Sequence, residues 1–542
     1  MALSPRVTIA LLACLLAVNY IARYPRTPHE MGVDAFIFHG MTADLVAHGY
    51  ARWVVHPLSY FGLYPLSHPS GSLFVLASLS ESSGISIEGA ILPFGMILVA
   101  VGLCAGFFLG MEIRRDAVFG IFVAAIFSLS PRLVADTIWQ IPTRTFFTTL
   151  VPVFLLSILR WHKMREMRWL IILVAAFLCM MSAHRLTVLM VAILLAFIFT
   201  IFIAVTAKTL RIRYGSRVLS KQFRKAANIS AITVFFILCG GLLVLGGVLG
   251  DYEQGQVSIG SGIVSQLSNF GVSLARSAGI LVVLVPLGVI AMYRTRSRGI
   301  PEWFFLMAML VLLPTLSLRQ YTGYYIIPFT AVFVAMALLS ILRRCSTPTR
   351  RIALVAVAVA ATLGTAQFVV AYDLDFHAYL DDQTYTDGLY VKYATTGTII
   401  ANDGFTASKI FAISGKPCLP VGGATTGFQS PELLIFGFLD REHLALSRIP
   451  LEQLTVESDS IFSLDGVNAA ADWASILFSP YTSNGSRLSE AYHLAYAIED
   501  HRLLGSFTAY GNVYYSAYFT SLHESTYRVY ADAEVSIWYV GG

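Results

Sequence analysis

Over roughly the first two thirds of the chain, apolar residues come in long stretches broken by short polar turns. Runs near membrane-spanning length fall at 5–21, 88–111, 117–131, 145–160, 169–183, 186–207, 229–250, 277–293, 301–317, 322–342 and 352–372. A helix needs about 20 apolar residues to cross a hydrocarbon core of ~30 Å. The runs near 15 residues therefore need tilt, packed neighbours or slightly wider limits. The pattern predicts a polytopic α-helical membrane protein of about eleven spans. Two connections, 22–87 and 251–276, are long. In the first, Ile37, Met41 and Leu45 repeat every four residues, as in a helix lying on a membrane surface.

Past residue 372 the pattern shortens. Thr398–Ala401, Cys418–Val421 and Ile476–Ser479 read as strands, Thr406–Ser414 and Ser489–Asp500 as helices. Leu504–Ala509 with Val513–Tyr518, around Tyr510-Gly511-Asn512, reads as a hairpin, and so does Arg528–Tyr530 with Val535–Val540. Residues 373–542 are thus expected to form an α/β domain following a multi-pass domain of residues 1–372.

Basic residues orient the helices. One set of alternate loops holds 21 Lys and Arg, from Arg6 through Arg160–Arg168 and Lys208–Lys225 to Arg343–Arg351, and the opposite membrane-side loops hold 8. The positive-inside rule places the N-terminus in the cytoplasm and the 373–542 domain outside it. The first segment has the basic start of a signal peptide, but no clean small-residue cleavage site follows, so it is expected to stay as an anchor.

Composition narrows the function classes. The chain is 56% hydrophobic and 13% charged, against about 25% charged in soluble domains. That excludes a soluble globular enzyme, a disordered tail and a coiled coil. The net charge of +5 is no nucleic-acid footprint, because the tail alone carries 20 Asp and Glu against 8 Lys and Arg. Six cysteines are too few for a disulfide scaffold. No Gly-rich phosphate loop, Cys-x-x-Cys or His-Glu-x-x-His occurs. Acids are nearly absent from span interiors, which leaves no ion relay of the pump type.

Polar residues gather instead at the external ends of the helices. Asp34, in Glu30-Met31-Gly32-Val33-Asp34, is either a helix N-cap or a carboxylate held at the interface as base or metal ligand. Asp136 lies in a short turn with Arg132, Trp139, Gln140 and Arg144. An Asp–Arg pair closing the loop is one reading. The other is a site for an anionic head group, because Arg offers a planar fork to phosphate oxygens. His184 and Arg185 sit between two apolar runs, where Arg185 either snorkels to the interface or faces a wet cavity. Arg319 is followed by Tyr321, Tyr324 and Tyr325, tyrosines of the kind that belt an interface. Asp251 and Glu253 open the second long loop, as solvated charge or as a further acid, and His56 and His68 read as parts of a packed loop.

This arrangement resembles the type-C (GT-C) membrane glycosyltransferases, with the greatest likeness to the oligosaccharyltransferase catalytic subunit and its archaeal relatives. Asp34 matches the first acidic position of that family, and the stretch behind it the interfacial helix. Asp136 lies where a second acidic motif stands, and Glu253-Gln254 where the late loop carries a glutamate. Arg319, before Tyr321 and Pro328, resembles the arginine that meets the lipid phosphate. Two features depart from the family: Asp136-Thr137-Ile138 stands in place of a paired acidic motif, and the tail lacks Trp-Trp-Asp-Tyr-Gly.

The resemblance implies an enzyme of the cell membrane working on its outer face. It would transfer a sugar or glycan from a polyprenyl (dolichyl) phosphate carrier to a protein or lipid-linked acceptor. Asp34 and Asp136 are the candidate catalytic carboxylates. With Glu253 they are candidate ligands of a divalent metal, Mg²⁺ or Mn²⁺, which oxygen donors suit. Arg319, His184, Arg185 and Arg144 are the candidate lipid-phosphate contacts. A lipid-linked glycan transporter would need a polar path that the spans do not show, and a non-enzymatic envelope protein would leave the rim charges unexplained.

Overall fold

The computed structural model describes residues 3–51, 60–61, 69–184, 187–218, 271–272, 274–295, 299–315, 322–373, 379–419, 454–457, 460–464, 469–503, 507–508, 511–512, 516–524 and 527–541. It divides into two compact units. The first comprises residues 1–23, 96–135 and 144–372, and the second 24–95, 136–143 and 373–542.

Apolar helices make up the first unit. Those long and apolar enough to cross a membrane are Pro5–Ala22, Ile87–Arg114, Thr143–Met164, Tyr324–Arg344 and Pro348–Ala371. Shorter apolar helices lie at Ala117–Ser128, Met167–Ala183, Met190–Thr206, Ile280–Arg294 and Ile300–Leu312. Each falls on an expected run. The run 229–250 lies outside the described residues.

Local chemistry sets the helix limits. Ser4 caps Pro5–Ala22, its hydroxyl accepting from Val7 N, and Pro5 takes the first turn, where its missing N–H costs nothing. Asp116 caps Ala117–Ser128 by accepting from Val118 N at 3.0 Å. The helix Thr322–Arg344 is central, with 89% of its apolar window buried. Lipid gives no hydrophobic drive between helices, so close approach depends on small residues. Gly288, on the helix Val285–Arg294, shows this: a Cβ there would lie 1.9 Å from the Phe333 carbonyl oxygen. Gly110 likewise faces Gly120, where a Cβ would sit 2.7 Å from the Gly120 Cα. At the basic ends, Glu112 accepts from Arg160 (3.1 Å) and Lys163 (2.5 Å), and Asp116 from Arg343 (3.0 Å).

The second unit is α/β. Its five-stranded sheet runs β2-β1-β5-β9-β8, with β1 Thr398–Ala401, β2 Cys418–Leu419, β5 Leu494–Asp500, β8 Arg528–Ala531 and β9 Val535–Tyr539. β1 is parallel to β2 and β5, while β9 is antiparallel to β5 and β8. Every residue of β1 is buried, as expected of a parallel strand covered on both faces. The crossover helix Gly404–Ser414 is capped by Asp403, which accepts from Phe405 N (2.7 Å) and Thr406 N (3.0 Å). Two small hairpins complete the strands: β3 Leu454–Glu457 with β4 Ser460–Leu464, and β6 Phe507–Thr508 with β7 Gly511–Asn512.

Several local expectations are corrected. Ile476 and Leu477 belong to the helix Ala469–Phe478, whose apolar face they bury; a short apolar run carries no period that separates helix from strand. Ser489–Asp500 is not one helix. It begins in the helix Ser483–Ala491 and continues as β5, where Leu494, Ala497 and Ile498 enter the core. The stretch Ile37–Leu45 does form a helix, Val33–His48, but its apolar face is covered by protein. Phe36, Met41 and Leu45 are buried, and Gly40 lies against the Phe411 ring of the crossover helix.

Carboxylates of the second unit carry its pH response. Arg502 holds Asp500 (2.7 Å), Asp381 (2.6 Å) and Glu534 (2.7 Å). Asp387 is wholly buried; Tyr530 OH lies 3.0 Å from its Oδ1 and 3.1 Å from Asp532 Oδ2, and Gln383 also reaches both acids. Burial first, then the adjoining Asp532, pushes the Asp387 carboxyl up to about 8. Burial also raises Asp403, to about 6.

Two outcomes are expected. Gly288→Val should force the helices Val285–Arg294 and Thr322–Arg344 apart, costing about 1–3 kcal/mol by overpacking. Thermal unfolding in detergent reads this, and unchanged stability would contradict the close contact. The second outcome concerns pH. Asp387 stays protonated in the fold after the unfolded chain has lost that proton, so its contribution is complete below about pH 4, falls as pH rises, and is gone above about pH 8. Asp403 adds to the slope only up to about pH 6. Asp387→Asn should flatten the fall between pH 6 and 8 in a stability–pH series. A slope equal to the parent's would show that Asp387 is not the group responsible.

Candidate functional site

The strip Glu30–Asp34 leads into the helix Val33–His48. Met31 donates its amide to the Trp139 carbonyl at 2.8 Å and bridges Tyr379, while Leu380 N donates to the Glu30 carbonyl at 3.1 Å. Gly32 holds φ 98°, a conformation disfavoured for side chains, and a Cβ there would stand 2.5 Å from Gln140 Oε1. The positive φ alone calls for glycine, and Gln140 would have to move for any side chain. The strip is thereby tied to residues 136–143 on one side and 379–380 on the other, all within the second unit.

That tie bears on the two candidate acids. Asp34 is exposed and is the second residue of its helix; the N-cap is Gly32. The cap reading is therefore corrected: the Asp34 carboxylate sits in the first turn, where the helix dipole favours negative charge. Asp136, half-buried, belongs to the segment that Met31 bonds. Asp34 and Asp136 thus lie on two adjoining, hydrogen-bonded strips of chain. Both offer hard oxygen donors of the kind Mg²⁺ or Mn²⁺ takes. Among the described residues no group of three or more His, Cys, Asp or Glu comes together to hold an ion. Glu253 lies outside the described residues.

Behind the strip stands a polar cluster that the sequence reading missed. Glu30 is wholly buried, its Oε1 2.7 Å from His39 Nδ1. Burial raises the Glu30 carboxyl; burial also acts to lower the His39 imidazole, but the charge and hydrogen bond of Glu30, with the charge of Glu88, together raise it. Glu88 Oε1 lies 2.9 Å from His29 Nδ1 and accepts from Glu30 N at 3.3 Å. His29 stacks on Tyr385 with centroids 3.9 Å apart, and its Nε2 lies 3.4 Å from Asp382. Glu30 stands four residues from Asp34, which was the one available signal; Glu88, 58 residues further on, gave none.

Of the candidate phosphate contacts, Arg144 and His184 belong to the first unit. Arg144 is half-buried in the first turn of Thr143–Met164. His184 closes the helix Met167–Ala183, and its ring lies 6.3 Å from that of Phe147. Arg144 and Phe147, three apart, share a helix face, so His184 sits beside the turn that carries Arg144. Arg185 and Arg319 lie outside the described residues, as do His56, His68 and Asp251. The interfacial reading of Tyr324 and Tyr325 is corrected. Both are buried, and the Arg132 guanidinium lies over the Tyr324 ring while its Nε donates to the hydroxyl at 2.6 Å.

No family model matches the sequence, and no curated protein does. Solved structures do match. The archaeal oligosaccharyltransferase AglB from Archaeoglobus fulgidus, in complex with an inhibitory peptide and a dolichol-phosphate, aligns with a TM-score of 0.58 at 12% identity, over 91% of this chain and 69% of that one. The Archaeoglobus fulgidus oligosaccharyltransferase in complex with Zn and sulfate aligns at 0.54 and 14%, over 90% and 68%. ArnT from Cupriavidus metallidurans, in the apo state, aligns at 0.50 and 12%, over 98% and 97%. These proteins are type-C glycosyltransferases, and the chain has their fold.

Proposed function

We propose that this chain is a membrane glycosyltransferase that moves a sugar or glycan from a polyprenyl (dolichyl) phosphate carrier to a protein or lipid-linked acceptor on the outer face of the cell membrane. The observation that carries the reading is the hydrogen-bonded pairing of the Asp34 and Asp136 strips within this fold. The dolichol-phosphate and peptide bound to AglB support the lipid carrier and a protein acceptor. In this reading residues 1–372 hold the donor and residues 373–542, outside, guide the acceptor.

Transfer breaks the bond between the sugar C1 and the phosphate oxygen and joins C1 to the acceptor. Asp34, exposed at a helix start, takes the proton that the acceptor gives up. The leaving phosphate gathers charge, and Arg144 and His184, with Arg185 and Arg319, meet it with charge-assisted hydrogen bonds. In the alternative role for Asp34, it would instead hold a divalent cation with Asp136 and Glu253; the Zn bound to the Archaeoglobus fulgidus oligosaccharyltransferase supports such a site. When bound, the ion supplies further positive charge at the leaving group.

Asp34→Asn keeps the volume and leaves the Gly32 cap untouched, so thermal unfolding should shift only by the small first-turn charge effect, about 0.3–1 kcal/mol. Transfer from a dolichyl-phosphate-linked sugar should fall by about 10²–10⁴. Near-parental turnover would remove Asp34 from the chemistry.

A further inference from the structure

We infer that Trp139, braced by Glu88, is a positioning residue that holds the Asp136 strip in register with Asp34. The inference rests on the transferase reading above. Trp139 has φ 47°, in the left-handed region that a large side chain rarely adopts. Such strain persists only where the surroundings over-determine it, and it gathers at functional sites. Here both ends of the residue are committed. Its carbonyl accepts from Met31 N at 2.8 Å, and its indole N–H donates to the Glu88 carbonyl at 3.0 Å. The Glu88 carboxylate in turn accepts from Glu30 N at 3.3 Å and lies 2.9 Å from His29.

The connections close a ring. Trp139 bonds Met31, Met31 follows Glu30, Glu30 bonds Glu88, and Glu88 bonds Trp139 again. Asp136 lies three residues before Trp139, and Asp34 three after Met31. Rotation of Trp139 back to an unstrained φ would break the Met31 bond and move the two acids relative to one another. The ring therefore converts one strained residue into a fixed spacing between the acids. Gly95 adds a stop behind the turn: a Cβ there would lie 3.0 Å from the Thr137 carbonyl oxygen.

The test uses the full chain in lipid nanodiscs and two variants, Trp139→Phe and Glu88→Ala. Phe keeps the ring and its packing but removes the indole donor. Turnover is read as release of polyprenyl phosphate from dolichyl- and undecaprenyl-phosphate monosaccharides, and Met31 amide protection by hydrogen exchange. Both variants should lower kcat by about 10–100-fold, as small misplacements of catalytic groups do. Donor KM should stay within about twofold, because the phosphate contacts are untouched. The Met31 amide should exchange faster, and the melting temperature should not fall in step with kcat. Unchanged kcat in both variants, or a loss of kcat that only tracks lost folded protein, overturns the inference. A parent chain that releases no polyprenyl phosphate from any of these donors overturns the transferase reading itself. An active parent with active variants overturns the positioning role alone.

Discussion

The hydrogen bond from the Met31 amide to the Trp139 carbonyl joins segments more than a hundred residues apart in sequence. Much of the site depends on it. On either side of it stand two unusual backbones: Trp139 holds a positive φ, and residue 32 holds a φ of 98° that only glycine adopts readily. Both are constraints that a chain keeps only when something offsets their cost. The offset is visible next door, where the carbonyl of Glu30 and the carboxylate of Glu88 take up the neighbouring amides. With these in place the helix Val33–His48 starts at a fixed point and presents Asp34 in its first turn.

The same strip shows how the second unit was assembled from distant parts. The helix Val33–His48 and the C-terminal segment 380–413 share one core: Phe36 packs with Leu380 and Ala412, and Gly40 meets Phe411, while the turn 136–143 joins the unit through the Met31–Trp139 hydrogen bond. Contact of this kind, without a Cβ between helix and ring, leaves no room for slippage. The sheet gains its order from a fully buried parallel strand, β1, and from the Asp403 cap that turns the chain into its crossover helix.

The sequence made the apolar helices legible because their signal is long and one-dimensional: each described apolar helix coincides with an apolar run. Asp34 and Asp136 were legible as acids out of place beside hydrocarbon. The buried partners were not. Glu30, His39 and Glu88 are ordinary polar residues in their own segments, and only the fold brings them within hydrogen-bond reach. Short elements misled for a related reason. Ile476–Leu477 and Leu494–Ile498 are too short to show a period, and tertiary burial decided between helix and strand. The cap alternative for Asp34 fails because Gly32, with its positive φ, starts the helix two residues earlier than an Asp34 cap would.

The central claim is that the Asp34 and Asp136 strips form one site for a lipid-linked phosphosugar. The most direct measurement is a cryo-electron microscopy structure of the chain in nanodiscs with a non-transferable polyprenyl-phosphate-sugar analogue and Mn²⁺. The account predicts the sugar–phosphate linkage facing both carboxylates, with the phosphate in reach of at least one of Arg144, His184, Arg185 and Arg319. Density for the head group among the basic helix ends near Arg160 and Arg343, with neither acid near it, would contradict the account.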